Sequence, residues 1–357
     1  MRLTSLLLRI AMAYLIGLAI LSQDAFAGRV RELPDFRQDA PALTLNHYVL
    51  GNTCLSLPTS GLDLQCNPAF LAQEEKRQLR LNVTGNDKVR NVYDYRNKLS
   101  DNDVIGVVDQ ALSDREPLIA KAAASVWYQH DFWAIGYVPM RAGFGSVVKN
   151  PAYPEIDLHV FNESEIFAKA GFFLESDPQF LFGLQARYVD RDYFRGDFEL
   201  LDAVSDGSIL HIDNQKILFL EPGIAYVVDP HWGSTLSATV TQLPVYRKGV
   251  TDEVRPVIDL GVSLAPPFAH GKWKTSTHYS QRSDVPDLLD SFLWGSSYDF
   301  GRLAAAVSLG RSLFSAGVSG RIDSLVLGAG YKTEEVAPDQ WYSQRISSLL
   351  FELGLAF

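Results

Sequence analysis

Cysteine and methionine are scarce in this chain, with two of the first and three of the second among 357 residues. Two cysteines exclude a disulfide-dense scaffold and leave room for one internal bridge at most. An excess of basic residues is also missing. The formal net charge is −10, which argues against a nucleic-acid partner. Beyond the first two dozen residues there is no apolar run of about 20 residues, so no later segment reads as a membrane-spanning helix. Yet 47% of the residues are hydrophobic. That combination leaves a soluble exported protein or a membrane β-barrel, which hides its membrane signal by alternating apolar and polar residues.

The N-terminus reads as a targeting segment. Arg2 and Arg9 precede an apolar stretch, Ile10 to Leu21, and Ala25-Phe26-Ala27 supplies a small-x-small cleavage site. Residues 1–27 are thus expected to be a signal peptide, with the mature chain starting at Gly28. No cysteine follows the cut, so lipid attachment there is not expected.

From Gln78 onward the chain alternates. Leu79, Leu81 and Val83 share one face and Arg80, Asn82 and Thr84 the other. Residues 86–116 interrupt the pattern, with Asp101 placed to cap a helix over Val104, Val107, Val108 and Leu112. After Pro117 the strands come in pairs: 118–128 with 132–140, 155–176 with 180–188, 216–228 with 232–241, and 254–264 with a strand from Trp273. Five more run near 292–300, 302–310, 313–320, 323–332 and 344–357. Lipid-facing sets include Phe182, Leu184 and Tyr188, then Leu236 and Val240, then Val254, Ile258, Leu260 and Val262, with Arg255, Asp259 and Ser263 inward. Trp232, Trp273, Trp294 and Tyr331 read as interfacial girdle residues.

The pattern makes fourteen strands: an all-β, transmembrane antiparallel barrel over residues 78–357. Its turns sort by side. Short ones at His130, Pro178, Pro230, Pro267, Gly301 and Gly320 fall on one side, and the longer connections, among them 141–154, 191–215 and 333–343, on the other. Short periplasmic turns and long outer loops are the rule for outer-membrane barrels. A barrel this wide leaves a lumen that wall side chains do not fill. Residues 28–77 are available to fill it and are expected to form an N-terminal plug, or hatch.

The middle of that plug, Cys54 to Ala72, holds both cysteines, two prolines and a glycine, a composition suited to neither a long helix nor a central strand. In an exported chain a Cys54–Cys66 bridge is expected, two free thiols being the alternative. Asn67-Pro68-Ala69 followed by Phe70-Leu71-Ala72 resembles the hatch motif of the FadL-like outer-membrane transporters. Residues 287–357, with Gly-Tyr-Lys-Thr-Glu-Glu at 330–335, resemble the TraF-type and secretion-associated relatives of that family. The terminal Phe357 of an alternating strand looks like the signal read by the barrel-assembly machinery.

The resemblance implies a place in the outer membrane of a Gram-negative cell, contact with outer-membrane lipids, and transport of small hydrophobic molecules, fatty-acid or hydrocarbon-like, into the cell. Its alternative is a non-transporting barrel that serves a secretion, conjugation or envelope-assembly system. In FadL-like carriers the third strand is kinked and opens a lateral gap toward lipid. Here that strand is Phe132 to Met140, so the resemblance points to Gly136 and Pro139. No ligand-contacting residue is singled out.

No enzyme, metal or cofactor is expected. His278 and Ser280 share a strand face, as a base and nucleophile must, but a polar lumen face explains them and no orienting acid is assigned. Asp190, Asp192, Asp197 and Glu199 read as a solvated acidic outer loop rather than a calcium site. His211 and Asp213 are read as non-ligands.

Overall fold

The computed structural model describes residues 43–59, 63–73, 77–89, 106, 118–148, 155–199, 212–249, 254–268, 270–281, 288–339 and 342–357. The expected targeting segment lies outside them, as does the helix capped by Asp101 but for Gly106. Among the described residues no helix is long and apolar enough to cross a membrane.

Fifteen strands form one antiparallel sheet. They are β1 (Arg77–Asn86), β2 (Leu118–His130), β3 (Trp133–Val148), β4 (Glu155–Leu174), β5 (Asp177–Glu199), β6 (Asp213–Asp229), β7 (Ser234–Thr241), β8 (Pro244–Lys248), β9 (Val257–Leu264), β10 (Lys272–Gln281), β11 (Phe292–Asp299), β12 (Leu303–Gly310), β13 (Leu313–Ile322), β14 (Leu325–Asp339) and β15 (Tyr342–Ala356). The first strand pairs with both the second and the last, and β5 pairs with β6, so the sheet closes on itself. Closure leaves no strand edge facing lipid, where an unpaired backbone group has no water to bond.

The wall has fourteen positions, because β7 and β8 lie in series along β6. Gln242 at their junction has φ of 58°, a left-handed conformation outside the strand range. Its N–H donates to Glu221 Oε1 at 2.9 Å, which holds the kink in place. The fourteen strands expected from alternation therefore correspond one to one with the wall.

Burial alternates inside out. On β1, Val83 is 55% exposed while Arg80 is 0% exposed. Leu79, Leu81 and Val83 face outward to lipid, and Gln78, Arg80, Asn82 and Thr84 face the lumen. The same parity holds for β5, β7 and β10 as expected. It fails before β9, where Val254 is buried and Arg255 exposed, the reverse of the expectation. Residues 254–256 precede the paired strand, and alternation binds a side chain to one face only where the ladder exists. Val254 instead packs with the lumenal Val189, Ile217 and Phe219.

The strands also run further than the alternation suggested. β3 continues to Val148, β5 to Glu199 and β14 to Asp339, so much of the expected loops 141–154, 191–215 and 333–343 is wall. Beyond the lipid both faces of a strand tolerate polar residues, so the period-two signal fades while the ladder persists. The acidic residues expected in a loop are among these. Asp190 and Asp192 sit on β5, paired with Lys216 at 3.2 Å and accepting from Asn214 at 3.0 Å.

The outward parity of β1 carries a direct test. Val83→Arg should lower the stability of the barrel in lipid vesicles by about 2–4 kcal/mol, the cost of a cation near the bilayer midplane. A urea titration followed by tryptophan fluorescence measures it. An unchanged midpoint would mean that this face of β1 does not meet lipid.

Candidate functional site: the hatch and its seat

The hatch is built from short turns because its sequence permits nothing longer. Among the described hatch residues Thr44 caps a short helix, α1 (Leu45–Leu50), its hydroxyl accepting from His47 N at 3.3 Å. Gly51, with φ of 54°, ends it. A 3-10 turn over Gly51–Leu55 follows, and a second spans Pro68–Gln73. Cys54 and Cys66 are joined, with Cα atoms 5.6 Å apart.

Asn67-Pro68-Ala69 forms the start of that second turn. Asn67 Oδ1 accepts from Ala69 N at 3.0 Å, and its amide donates to the Leu55 carbonyl at 3.2 Å. Asparagine thus caps the turn while tying it to the other side of the bridge. Proline follows where its missing N–H costs nothing. The small third residue matters because the wall comes close. Gly171 of β4, Gly183 of β5 and Gly223 of β6 are neighbours in one cross-strand row. A Cβ on Gly183 would lie 2.3 Å from the Pro68 carbonyl carbon, and one on Gly223 would lie 2.2 Å from Asn67 Oδ1. The turn rests backbone to backbone on Gly171 and Gly183, and its Asn67 side chain lies on Gly223.

The other parts of the hatch have seats of their own. α1 packs on β12 to β15, and the first 3-10 turn on β7 and β9 to β11. Beside α1, Arg80 is fully buried between Asp63 of the hatch, at 3.3 Å, and Glu352 of β15. Asp63 also accepts from Asn46 at 2.6 Å, and Glu352 accepts from Leu45 N at 3.2 Å. Removing one member of such a buried set strands the others without compensation.

His278 and Ser280 both face the lumen and are buried, but they do not pair with each other. His278 Nδ1 accepts from Ser56 of the hatch at 2.6 Å, and Nε2 donates to Asp259 at 3.1 Å. Asp259 also accepts from Thr241 at 3.1 Å, while Ser280 accepts from Asn52 at 3.4 Å. The acid that sequence left unassigned is therefore Asp259, and the serine is Ser56. The trio has the connectivity of a nucleophile relay without space for an acyl group. A Cβ on Gly261 would already lie 1.8 Å from Ser56 Oγ. It fastens the hatch to β9 and β10.

On the opposite wall, β3 to β6 carry a buried charge ladder. Glu163 pairs with Arg141 and with Arg191 at 2.6 Å; Arg187 pairs with Glu165 at 2.8 Å and Glu221 at 2.7 Å. Between ladder and hatch lies a cavity of about 20 Å³, lined by residues that include Lys169, Gln185, Glu221, Thr239 and Cys66. Beside it an apolar seam joins Leu43, Leu64 and Leu71 of the hatch to Trp127, Ala134, Val138 and Phe167 of β2 to β4.

Gly136 and Pro139 both belong to the wall at this seam. Gly136 is paired on both sides, with Trp127 and Phe167, and a Cβ there would meet the Phe167 ring at 2.3 Å. Pro139 lies within a β-bulge of β3 that shifts the register with both β2 and β4. Proline donates nothing to a ladder, so a bulge is where a strand accepts it. Among the described residues no group of three or more His, Cys, Asp or Glu is placed to hold a metal.

That Arg80, Glu352, Trp127 and the glycine row meet the hatch went unread in the sequence, although Arg80 was placed on the inward face. An acid between lipid-facing Phe351 and Leu353 was a visible signal, since a charge at lumen parity needs a partner. The glycines were visible only as weak points in strands.

His47 gives the hatch a titratable joint. Its Nδ1 accepts from Leu43 N at 3.2 Å and its Nε2 donates to Leu64 O at 2.8 Å, which requires the neutral ring. Burial pushes its pKa from 6.5 down to about 4, with Asp63 opposing and Lys169 and Arg80 adding to the shift. A released hatch would hydrate the ring and restore the ordinary value. The released state then binds more protons as pH falls from 6.5 to 4, so the docked state loses about 3 kcal/mol across that window and no more below it. Ion conductance across planar bilayers should rise over this range, and His47→Gln should flatten the rise. Identical pH profiles would exclude His47. Separately, Gly183→Val should unseat the Asn-Pro-Ala turn and raise conductance at neutral pH without loss of heat-modifiable migration. Conductance at the unmodified level would show that the turn does not seal the lumen.

No protein-family model matches the sequence, and no curated protein matches it. Solved structures do. A TodX deltaS2S3 mutant monoaromatic hydrocarbon channel is similar over 90% of this chain and 99% of its own, at 11% identity and a TM-score of 0.51. CymD, a monoaromatic hydrocarbon channel, is similar over 88% and 94%, at 9% identity and a TM-score of 0.47. The toluene transporter TbuX of Ralstonia pickettii is similar over 81% and 92%, at 10% identity and a TM-score of 0.43. At such identities the likeness is one of fold. A closed antiparallel barrel of fourteen wall positions is the fold that this chain shares with the TodX deltaS2S3 mutant channel.

Proposed function

We propose that this chain is a hatch-gated channel of the Gram-negative outer membrane that admits small hydrophobic molecules to the cell. The observation that carries the reading is the apolar seam. Arg141, Glu163, Glu165, Arg187, Arg191 and Glu221 of the β3 to β6 wall pair with one another in the ladder. Of the apolar contacts between hatch and wall, the one that carries aromatic side chains of the wall lies at β2 to β4, beneath the bulge at Pro139; others lie at β5 to β6 and at β12 with β15. An apolar solute that slides the hatch aside meets this seam first and leaves sideways through the bulged wall into lipid. It thereby avoids the aqueous compartment, where its exposure is unfavourable. The neighbours in fold named as hydrocarbon channels and a toluene transporter support the same solute class.

A second reading, a non-transporting barrel serving an envelope assembly, is favoured by the filled lumen. A cavity of about 20 Å³ is far below the ~150 Å³ scale that holds a benzene-sized guest. Under the first reading this is the closed state, with the Trp127 and Phe167 side chains as stoppers.

Uptake of radiolabelled toluene and of a labelled fatty acid by cells separates the two readings. Gly136→Trp jams the seam and should cut uptake several-fold at an unchanged surface level of folded barrel. Phe167→Ala, which empties the same space, should raise it. Uptake indifferent to both variants would remove the seam from any transport path and favour the accessory role.

A further inference from the structure

The outward face of the wall changes character abruptly toward the outer ends of β4, β5, β6 and β8. The register lays three rows across these strands. Ile166, Tyr188, Leu218 and Tyr246 are successive cross-strand partners and form the first row. Ser164, Asp190, Lys216 and Lys248 form the second, and Asn162, Asp192 and Asn214 the third. Along each strand the rows are two residues apart, so they share one face. Ile166, Tyr188 and Tyr246 are exposed on it. One step therefore takes that face from apolar and aromatic to charged.

The step falls where a bilayer should end. Below it, Phe180 to Tyr188 of β5 pairs with Leu218 to Tyr226 of β6. That block matches the ~9–11 residues with which a tilted strand crosses the hydrocarbon. Phe182, Leu184, Ile224 and Tyr226 are exposed on its outward face, among apolar neighbours. Tyrosines stand at both of its ends, Tyr226 at one and Tyr188 and Tyr246 at the other, as they do at membrane–water boundaries. The second row thus lies at headgroup depth. The β5–β6 connection beyond it, residues 200–212, is long, as outer loops are.

The charges of this row do not balance. Lys216 pairs with Asp190 at 3.2 Å. Lys248 stands directly opposite Lys216 on the next strand, and like charges in that position repel. Lys248 is exposed, as is Arg247 beside it, and among the described residues no ion pair reaches Lys248. Asp192 of the third row already accepts from the Asn214 amide at 3.0 Å. One acid thus serves two opposed lysines. An ammonium carries three donors, so both lysines keep N–H groups for a further anion.

We propose that Lys216 and Lys248 hold a phosphate of an outer-leaflet glycolipid, a phosphorylated glucosamine lipid whose acyl chains lie along Tyr188, Leu218 and Tyr246. A phosphate monoester accepts from both ammonium groups and relieves their repulsion. Exposed lysines by themselves bind a free anion weakly. A lipid brings its phosphate to this depth and adds the apolar row against which its chains pack. The site requires the outer-membrane location proposed above.

The test is native mass spectrometry of the purified full chain in detergent, titrated with diphosphoryl lipid A and, in parallel, with its dephosphorylated form. The unmodified chain should prefer the phosphorylated lipid, and Lys216→Gln/Lys248→Gln should bind it about tenfold more weakly. Lys248→Arg should keep the affinity. Lys272→Gln, which removes an exposed lysine at the other end of the wall, should leave it unchanged. Heat-modifiable migration checks that each variant is folded. Should the double variant not fold, Lys248→Gln decides, with an expected loss of about fivefold. Equal binding of lipid A by the unmodified and lysine-free chains overturns the proposal. Equal affinity for the dephosphorylated lipid does so too, since acyl chains alone would then account for binding. Displacement of the lipid by millimolar inorganic phosphate would show a soluble anion site and overturn it as well. Fractionation of cell membranes tests the location separately. Recovery outside the outer membrane would sink that reading and this lipid with it, whereas an outer-membrane barrel indifferent to its two lysines would sink this site alone.

Discussion

A closed wall of fourteen strands encloses more space than its own inward side chains fill, and that mismatch organises the rest of the molecule. In lipid the wall has no choice but to close, since an open edge would leave backbone groups unpaired. Closure then creates the lumen, and the lumen has to be occupied or conduct. The hatch answers by lying across it as three short turns, each against a different arc of strands. Close seating needs wall positions without side chains, which is why Gly171, Gly183 and Gly223 line up beneath the Asn-Pro-Ala turn.

The seat is held by polar groups and by apolar contacts at β2 to β4, at β5 to β6 and at β12 with β15. Arg80 with Asp63 and Glu352, and His278 with Ser56 and Asp259, are buried and held by specific partners. Such sets add little stability relative to a well-packed apolar core, but they fix orientation, because any displacement strands a charge or a hydrogen bond. Leu43, Leu64 and Leu71 against Trp127 and Phe167 make the opposite kind of contact, adaptable and indifferent to small shifts.

Much of the architecture was legible in the amino-acid order. The alternation of Leu79, Leu81 and Val83 with Arg80, Asn82 and Thr84 already states which face meets lipid, and its recurrence gives the count of wall positions. Lipid and lumen impose opposite requirements on successive residues, so the signal is local. The same reasoning went astray where that contrast ends. Val254 and Arg255 lie outside the ladder, and β3, β5 and β14 run on past the residues whose alternation marked them. The site was harder to read. The Asn67-Pro68-Ala69 turn and the two cysteines marked the hatch, but not what it touches.

The sequence by itself determined that the chain closes as an inside-out barrel, that its width demands a filling, and that residues before Arg77 supply it. Each of these follows from spacing along the chain or from the number of strands. Only the tertiary structure decided that Asp259 stands behind His278 with Ser56 in front, that Glu352 and Asp63 share Arg80, and that three separate glycines form one seat. These partners lie on strands distant in sequence, or on hatch and wall. What places the wall members together is the register of a closed ladder, a shift of one residue in which would turn them from the hatch to lipid.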